Sequence, residues 1–306
     1  METVDILIIG QGPAGLSAAI YTARAGMRTL ILGCAPKVAG DYDIDNYFGF
    51  VDTISGKELI ERGSQQATKF GAQLRCDRVL SIHQNERGAF IAKTEENEIE
   101  ASALVLATGV SRIRPGIANL AEYEGRGVSY CVSCDGFFMR GKPVIVVGEG
   151  TFAANQALEL LQYTPQVTIC TQGKETNMTQ DFLDRLRENE ISVRMQAIQT
   201  LAGEHGLEHV IFTDGSTLDA QGLFIAMGQA SSSDFAYSLG LVRNGQFIET
   251  DRDQCTNVPG VFAAGDCVGR FMQISVAVGE GALAGKAAIS HVKDARRALT
   301  SSAPTP

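Results

Sequence analysis

A chain of 306 residues is too long for one ordinary domain and suits two, each able to bury a core of its own. Its net charge of -9, with no stripe of Lys and Arg, argues against nucleic acid as a partner, and no apolar run approaches the ~18 residues of a membrane span. The start, Met1-Glu2-Thr3-Val4-Asp5, has neither the positive segment nor the cleavage site of a secretory signal, so a cytoplasmic setting is expected. Thiols stay reduced there. A close pair among the seven cysteines therefore reads as catalytic or metal-binding rather than structural.

In chain order, the first element is an apolar, β-branched strand, VDILII at 4–9, followed by Gly10-Gln11-Gly12-Pro13-Ala14-Gly15 and an Ala-rich helix ending at Gly26. A second strand, Thr29 to Leu32, comes directly after. Strand, glycine turn, helix, strand is the dinucleotide-binding unit: Gly10 permits the tight turn, Gly12 lets backbone reach a pyrophosphate, and Gly15 lets helix and strand pack closely. The acid that would hold the adenosine ribose is missing, because Leu32, Gly33 and Cys34 stand in its place. A further strand is expected from Ala103 to Thr108, ending at Gly109.

Next comes Cys131-Val132-Ser133-Cys134. Three readings compete: a redox couple, half of a metal site, or two packed thiols. No second C-x-x-C and no H-x-x-x-H exists to complete a zinc site. Two thiols at this spacing can close a disulfide, and one can have its pKa lowered to give a usable thiolate, which favours the redox couple. The strand–turn–helix pattern then returns, with VIVV at 144–147, Gly148-Glu149-Gly150-Thr151-Phe152-Ala153, and a second strand at 167–170. Late in the chain, Gly260 to Asp266 reads as a strand running into an acid, followed by a small-residue helix from about 274 to 293 and a mobile tail from 296. That helix carries Gly279, Gly281 and Gly285, suited to close packing on a cofactor or a partner subunit. Cys34, Cys76 and Cys170 read as small core residues, and a disulfide between Cys255 and Cys267 is left open.

GQGPAGLSAAIYTARAG at 10–26, IDNYFGF at 44–50, VLATGV at 105–110, GRGVSYCVSCDGFF at 125–138 and PGVFAAGDC at 259–267 resemble the successive signature blocks of the low-molecular-weight thioredoxin reductase family. The resemblance implies an α/β fold of two Rossmann-like domains, the second inserted into the first. Residues 1–112 and 245–306 would bind FAD, and 113–244 would form the inserted pyridine-nucleotide-type domain, with hinges near 113–118 and 241–247. It implies that Cys134 faces the flavin, that Cys131 attacks a protein disulfide such as that of thioredoxin, and that Asp135 protonates the leaving thiolate. Gly10, Gly12, Pro13, Ala14, Gly15, Gly33, Asn46, Val79, Thr108, Gly109, Gly265, Asp266, Gln273 and Ile274 would hold the cofactor. No metal site and a homodimer are implied as well.

The sequence departs from the family where a pyridine nucleotide would bind. Members that use NADPH carry a His-Arg-Arg-like cluster that clamps the 2′-phosphate. This chain has Thr171-Gln172-Gly173, then Lys174-Glu175, and Glu149 lies inside the glycine turn. On the flavin side, Val38-Ala39-Gly40-Asp41 replaces a Gly-Gly-Gln, and Phe271-Met272-Gln273 replaces the usual Arg-Gln. NADPH is therefore not the expected donor. The pattern resembles ferredoxin-dependent flavin thioredoxin reductases and diflavin-linked disulfide oxidoreductases, which implies ferredoxin or a second flavin as the electron source. Arg112, Arg114, Arg140 and Lys142 are the candidate basic surface for an acidic ferredoxin. The rivals are an ordinary NADPH-dependent reductase, a small-molecule dithiol oxidase, and a non-catalytic redox sensor.

Overall fold

The computed structural model describes residues 1–34, 36–39, 43–109 and 115–301. The chain divides into two compact units, Met1–Ser111 with Ser231–Pro306, and Arg112–Ala230. Arg112, Arg114, Gly40, Asp41 and the last five residues of the tail lie outside the described residues, as does part of the connector expected near 113–118.

The first unit is built on a 7-stranded sheet. Its centre is the strand Glu2–Ile9, whose last six residues are buried because it carries a parallel neighbour on each side. Thr29–Leu32 flanks it on one side, with Leu7 opposite Leu30, and Glu98–Leu106 on the other, with Leu7 opposite Leu104. Gln73–Arg75 extends the sheet beyond Thr29–Leu32, and Val261–Ala263 pairs with Glu98–Leu106. The carboxyl ends of five parallel strands thus meet at one edge, where open α/β sheets bind ligands.

The helix Pro13–Arg24 rises from that edge with proline in its first turn, where a missing N–H costs nothing. Two glycines make its seat possible. A Cβ on Gly15 would lie 1.8 Å from the Gly10 carbonyl oxygen, and one on Gly281 would lie 2.1 Å from that of Ala14. The last helix, Ile274–Ser301, consequently packs backbone to backbone on the first, and Ser17 Oγ donates to the Val278 carbonyl at 2.7 Å. The glycines of the last helix that touch anything serve this packing.

The second unit repeats the theme in smaller form. Its five-stranded parallel sheet runs Ser192–Arg194, Val167–Cys170, Val144–Val147, Gly222–Ile225, Val128–Ser129. A three-stranded antiparallel sheet, Ile198–Ala202, His209–Phe212 and Thr217–Asp219, accompanies it. The return to the first unit comes earlier than the expected 244/245. The helix Ser232–Leu239 packs against the first unit's strand Val79–Gln84, and Ser232 Oγ donates to the Gly109 carbonyl at 3.4 Å. The connector expected at 241–247 therefore lies inside the first unit.

Asp5 ties three distant segments of the first unit together. It is buried and accepts from Arg28 N at 2.8 Å and from the Arg296 guanidinium at 2.6 Å. Burial alone would raise its pKa, but the hydrogen bonds from Arg28 and Arg296 outweigh it and hold the carboxyl below its usual value. A lowered folded-state pKa means stability that is complete above the unfolded-state value and lost as pH falls through the folded one. Asp5→Asn should lower the unfolding free energy by about 1–3 kcal/mol at neutral pH. In urea titrations the gap to wild type should close on acidification, and a gap independent of pH would contradict this assignment.

Candidate active site

The sulfur pair belongs to the second unit. Strand Val128–Ser129 delivers the chain to Cys131, and the short helix Val132–Asp135 starts directly after it. Cys131 and Cys134 are joined as a disulfide, and the Cys134 N–H donates to Cys131 Sγ at 3.1 Å. Cys131 is buried and Cys134 exposed. One hydroxyl organises the loop. Ser129 Oγ donates to Asp135 Oδ2 at 2.5 Å and accepts from the Cys131 N–H at 3.1 Å, so the acid, next to Cys134 and one turn on from Cys131, is held by the strand that precedes them. Gly136 follows because a Cβ there would lie 2.5 Å from the Tyr163 ring. Ser129 was not anticipated from sequence. Its role depends on a bend that brings residues 129 and 135 together.

The first unit gathers most of the expected cofactor residues at the carboxyl edge of its sheet. Gly10, at φ +113°, sits where a Cβ would lie 2.2 Å from the Ala107 carbonyl oxygen, while a Cβ on Gly12 would meet nothing within 4 Å. That open space lies before the N-terminus of Pro13–Arg24, where free N–H groups attract a diphosphate. Ala14 is buried behind it, and Gly265 packs close by, a Cβ there coming 3.0 Å from Ala14 Cβ. Thr108 and Gly109 follow the strand Glu98–Leu106, and the Thr108 hydroxyl is buried with no hydrogen-bond partner among the described residues. Asn46 Nδ2 donates to Gln273 Oε1 at 3.1 Å, joining two segments far apart in sequence. Ile274 opens the last helix, Asp266 opens a short turn ahead of it, Val79 is buried at the start of its strand, and Gly33 ends Thr29–Leu32.

This corner fits FAD. An orphaned hydroxyl and an uncrowded glycine turn are what a dinucleotide with polar oxygens would complete. Glu280 was missed from sequence. It is buried in the last helix, and its Oε2 accepts from the Gly265 N–H at 2.8 Å, holding the turn into Asp266 in place. A lone acid in an apolar helix face is the signal that could have found it.

The second glycine turn is differently occupied. Glu149 Oε1 accepts from Lys174 Nζ at 2.7 Å, and Oε2 lies 3.4 Å from the Gly228 N–H. The chain thus places its own carboxylate beside the second glycine turn, held by the Lys174 ammonium and the Gly228 N–H. Gln172, which stands in the region of the family's arginines, turns inward: its side chain donates to the Pro115 and Ile198 carbonyls at 2.8 and 3.1 Å and accepts from the Ile198 N–H at 2.7 Å.

The remaining cysteines separate into two kinds. Burial pushes the thiols of Cys170 and Cys267 up to about 12, so neither is a nucleophile at neutral pH. Cys255 and Cys267 are both free thiols. Cys34 and Cys76, expected as separate core residues, are instead joined as a disulfide, and Cys76 is exposed. The cause is register. Leu32 lies opposite Arg75, so the residues just beyond these parallel strands are brought together. Arg140 is exposed and lies over the Phe137 ring at 4.7 Å, and Lys142 is half-buried. Among the described residues, no three His, Cys, Asp or Glu gather as metal ligands, and no helix is long and apolar enough to cross a membrane.

Sulfur chemistry of this kind needs a carrier of electron pairs, and the first unit has the turn that holds one. The class so defined is the flavin-dependent disulfide oxidoreductases. Comparison with known proteins agrees: the pyridine nucleotide-disulphide oxidoreductase family matches residues 4–281, and this chain belongs to it. It is 32% identical to the thioredoxin reductase of Listeria monocytogenes over 311 residues, covering 98% of this chain and 97% of that one. Among solved structures, the atypical thioredoxin reductase TRi from Desulfovibrio vulgaris Hildenborough matches with 64% identity and a TM-score of 0.94, over 95% of this chain and 98% of that one. A ferredoxin-flavin thioredoxin reductase from Clostridium acetobutylicum matches with 29% identity and a TM-score of 0.71, over 97% of this chain and 99% of that one. This chain is a thioredoxin-reductase-like flavin disulfide oxidoreductase.

Thr108→Val should leave the flavin-free protein as stable as wild type or slightly more so, since its hydroxyl has no partner among the described residues. Its affinity for FAD should fall about three- to tenfold, the worth of one hydrogen bond. Fluorescence titration of the flavin-free protein reads this directly. An unchanged affinity would remove Thr108 from the cofactor site.

Proposed function

We propose that this protein passes electrons from FAD to the Cys131–Cys134 disulfide and on to a protein disulfide of the thioredoxin type, and that it takes them from a ferredoxin-like donor rather than from NADPH. FAD supplies the exchange of electrons with the sulfur pair and accepts them singly or in pairs. The protein's own residues do the rest. The Cys131 thiolate attacks the substrate disulfide to give a mixed disulfide, Asp135 protonates the leaving thiolate, and the Cys134 thiolate then attacks the Cys131 sulfur to release the second substrate thiol. Ser129 fixes the Asp135 carboxyl for that proton transfer.

The observation that carries the choice of donor is the Glu149–Lys174 pair in the second glycine turn. Glu149 is 14% exposed and already accepts from Lys174, with the Gly228 N–H close by. A dinucleotide phosphate seated there would lie near a fixed carboxylate, and a bare carboxylate at 4 Å repels by about 1 kcal/mol in water and about 4 kcal/mol at an effective dielectric near 20, of which the Lys174 ammonium offsets part. Gln172 gives no compensating charge, since its amide is spent on Pro115 and Ile198. One observation favours NADPH: Arg194, exposed and opposite Cys170 in register, accepts at its carbonyl from the Thr171 N–H at 2.9 Å, which puts an arginine beside the second strand's end. A second flavin at or near the second glycine turn, a homodimeric assembly and a cytoplasmic setting belong to the same reading.

Anaerobic reduction of the bound FAD by reduced ferredoxin, NADPH and NADH, measured side by side, decides among these. Reduction by ferredoxin should exceed that by either nicotinamide at least a hundredfold, and rapid bleaching by NADPH would reject this donor assignment. Oxygen uptake with small dithiols would point to an oxidase instead. Cys131→Ser and Cys134→Ser should each abolish turnover with a protein disulfide while the flavin stays bound. More than one FAD per chain after supplementation would support the second flavin.

A further inference from the structure

We propose that Cys34–Cys76 is a second redox-active disulfide: a thiol-exchange site that reacts with a protein dithiol of the thioredoxin type and, once opened, loosens the corner of the first unit that holds the adenosine half of FAD. The inference rests on the flavoprotein reading above.

Three observations carry it. The first is position. Cys34 follows Gly33 at the carboxyl end of Thr29–Leu32, where the dinucleotide fold ordinarily places the acid that holds the adenosine ribose. Cys76 follows Gln73–Arg75, the adjacent parallel strand, and lies three residues before Val79.

The second is coupling to the glycine turn. Gln11, between Gly10 and Gly12, donates from Nε2 to the Arg75 carbonyl at 2.8 Å, and the Gly33 N–H donates to the same carbonyl at 3.2 Å. A Cβ on Gly33, at φ +148°, would lie 3.1 Å from the Gln11 nitrogen. The sulfur bridge, the two strand ends and the pyrophosphate turn therefore form one connected block. Asp77, the residue after Cys76, is buried, and neither carboxylate oxygen has a hydrogen-bond partner among the described residues. A buried carboxylate at the strand end fits a corner where a ligand's hydroxyl groups could donate.

The third is access. Cys76 is exposed and Cys34 half-buried, in contrast to the buried thiols of Cys170 and Cys267. Exposed disulfides are the ones that exchange with external thiols, and this class of enzyme generates a protein dithiol as its product.

The exchange balances without any further reactant. A thiolate of the dithiol attacks the exposed Cys76 sulfur, forming a mixed disulfide and releasing the Cys34 thiolate, which takes a proton. The second thiol of the reductant then attacks its own sulfur of the mixed bond, closing its disulfide and releasing Cys76 as a thiol. Two electrons and two protons pass from the dithiol to the pair, and the flavin takes no part. Opening the bond frees a loop whose ends are separated by 42 residues from the only covalent tie at that corner among the described residues. A high level of dithiol product thereby weakens the hold on the cofactor, a redox feedback built from adjacent strand ends.

The test uses the FAD-loaded full chain with Cys131→Ser and Cys134→Ser, so that only the second pair can exchange. Reduced thioredoxin is added, with dithiothreitol in a parallel arm, followed by N-ethylmaleimide labelling with peptide mass mapping and by flavin fluorescence to follow FAD release. Cys34 and Cys76 should both be labelled within minutes while Cys170 and Cys267 are not, and FAD release should speed up about tenfold and slow again on reoxidation. Labelling only after denaturation would make the bond purely structural and overturn the proposal, as would labelling with FAD release unchanged. Cys34→Ser with Cys76→Ser should release FAD at the fast rate with or without thiol, and a slow release would overturn it too. The reduction arm decides by itself even where that double variant does not fold. Failure of the flavoprotein reading shows differently, as a colourless protein that takes up no added FAD.

Discussion

The close approach of main chain to main chain around the first glycine turn is the constraint on which the rest depends. Gly15 rests on the Gly10 carbonyl and Gly281 on that of Ala14, at separations no side chain could share. Because the first helix is seated this tightly between the sheet and the last helix, its N-terminus is held at the strand ends, where Thr108, Gly265 and Gly33 also arrive. Glu280 completes the arrangement from the last helix by fixing the Gly265 N–H. A cofactor corner of this kind is a consequence of backbone packing, and its polar side chains are few.

The second unit keeps the same local pattern and surrounds it with different side chains. Its strand, turn and helix are all present, and a Cβ on Gly148 would lie 2.1 Å from the Ala226 carbonyl oxygen, so packing requires glycine there. Glu149, within that turn, is paired with Lys174 and lies close to the Gly228 N–H.

Much of the architecture was legible because its signals are local. The apolar runs at 4–9 and 144–147, the glycine spacings after them, and the pair Cys131–Cys134 each lie within a short stretch of chain, and the structure forms them as strands, turns and a bonded sulfur pair. The second domain crossing was placed too late because the helix Ser232–Leu239 carries no mark of which unit it will cover. Ser129 and Glu280 escaped notice for a related reason. Each acts on a group that sequence distance hides, six residues away across a bend in one case and fifteen across a helix turn in the other.

By itself, then, the order of residues determined the two dinucleotide-type frames, the redox spacing of Cys131 and Cys134, and the want of arginines after the strand Val167–Cys170. Tertiary structure alone decided that Cys34 meets Cys76, that Glu149 meets Lys174, and that Gln172 turns inward. The physical reason is that parallel strands must be joined by a long crossover, so residues at neighbouring strand ends are far apart in the chain. Their pairing follows from register, which no short stretch of sequence contains.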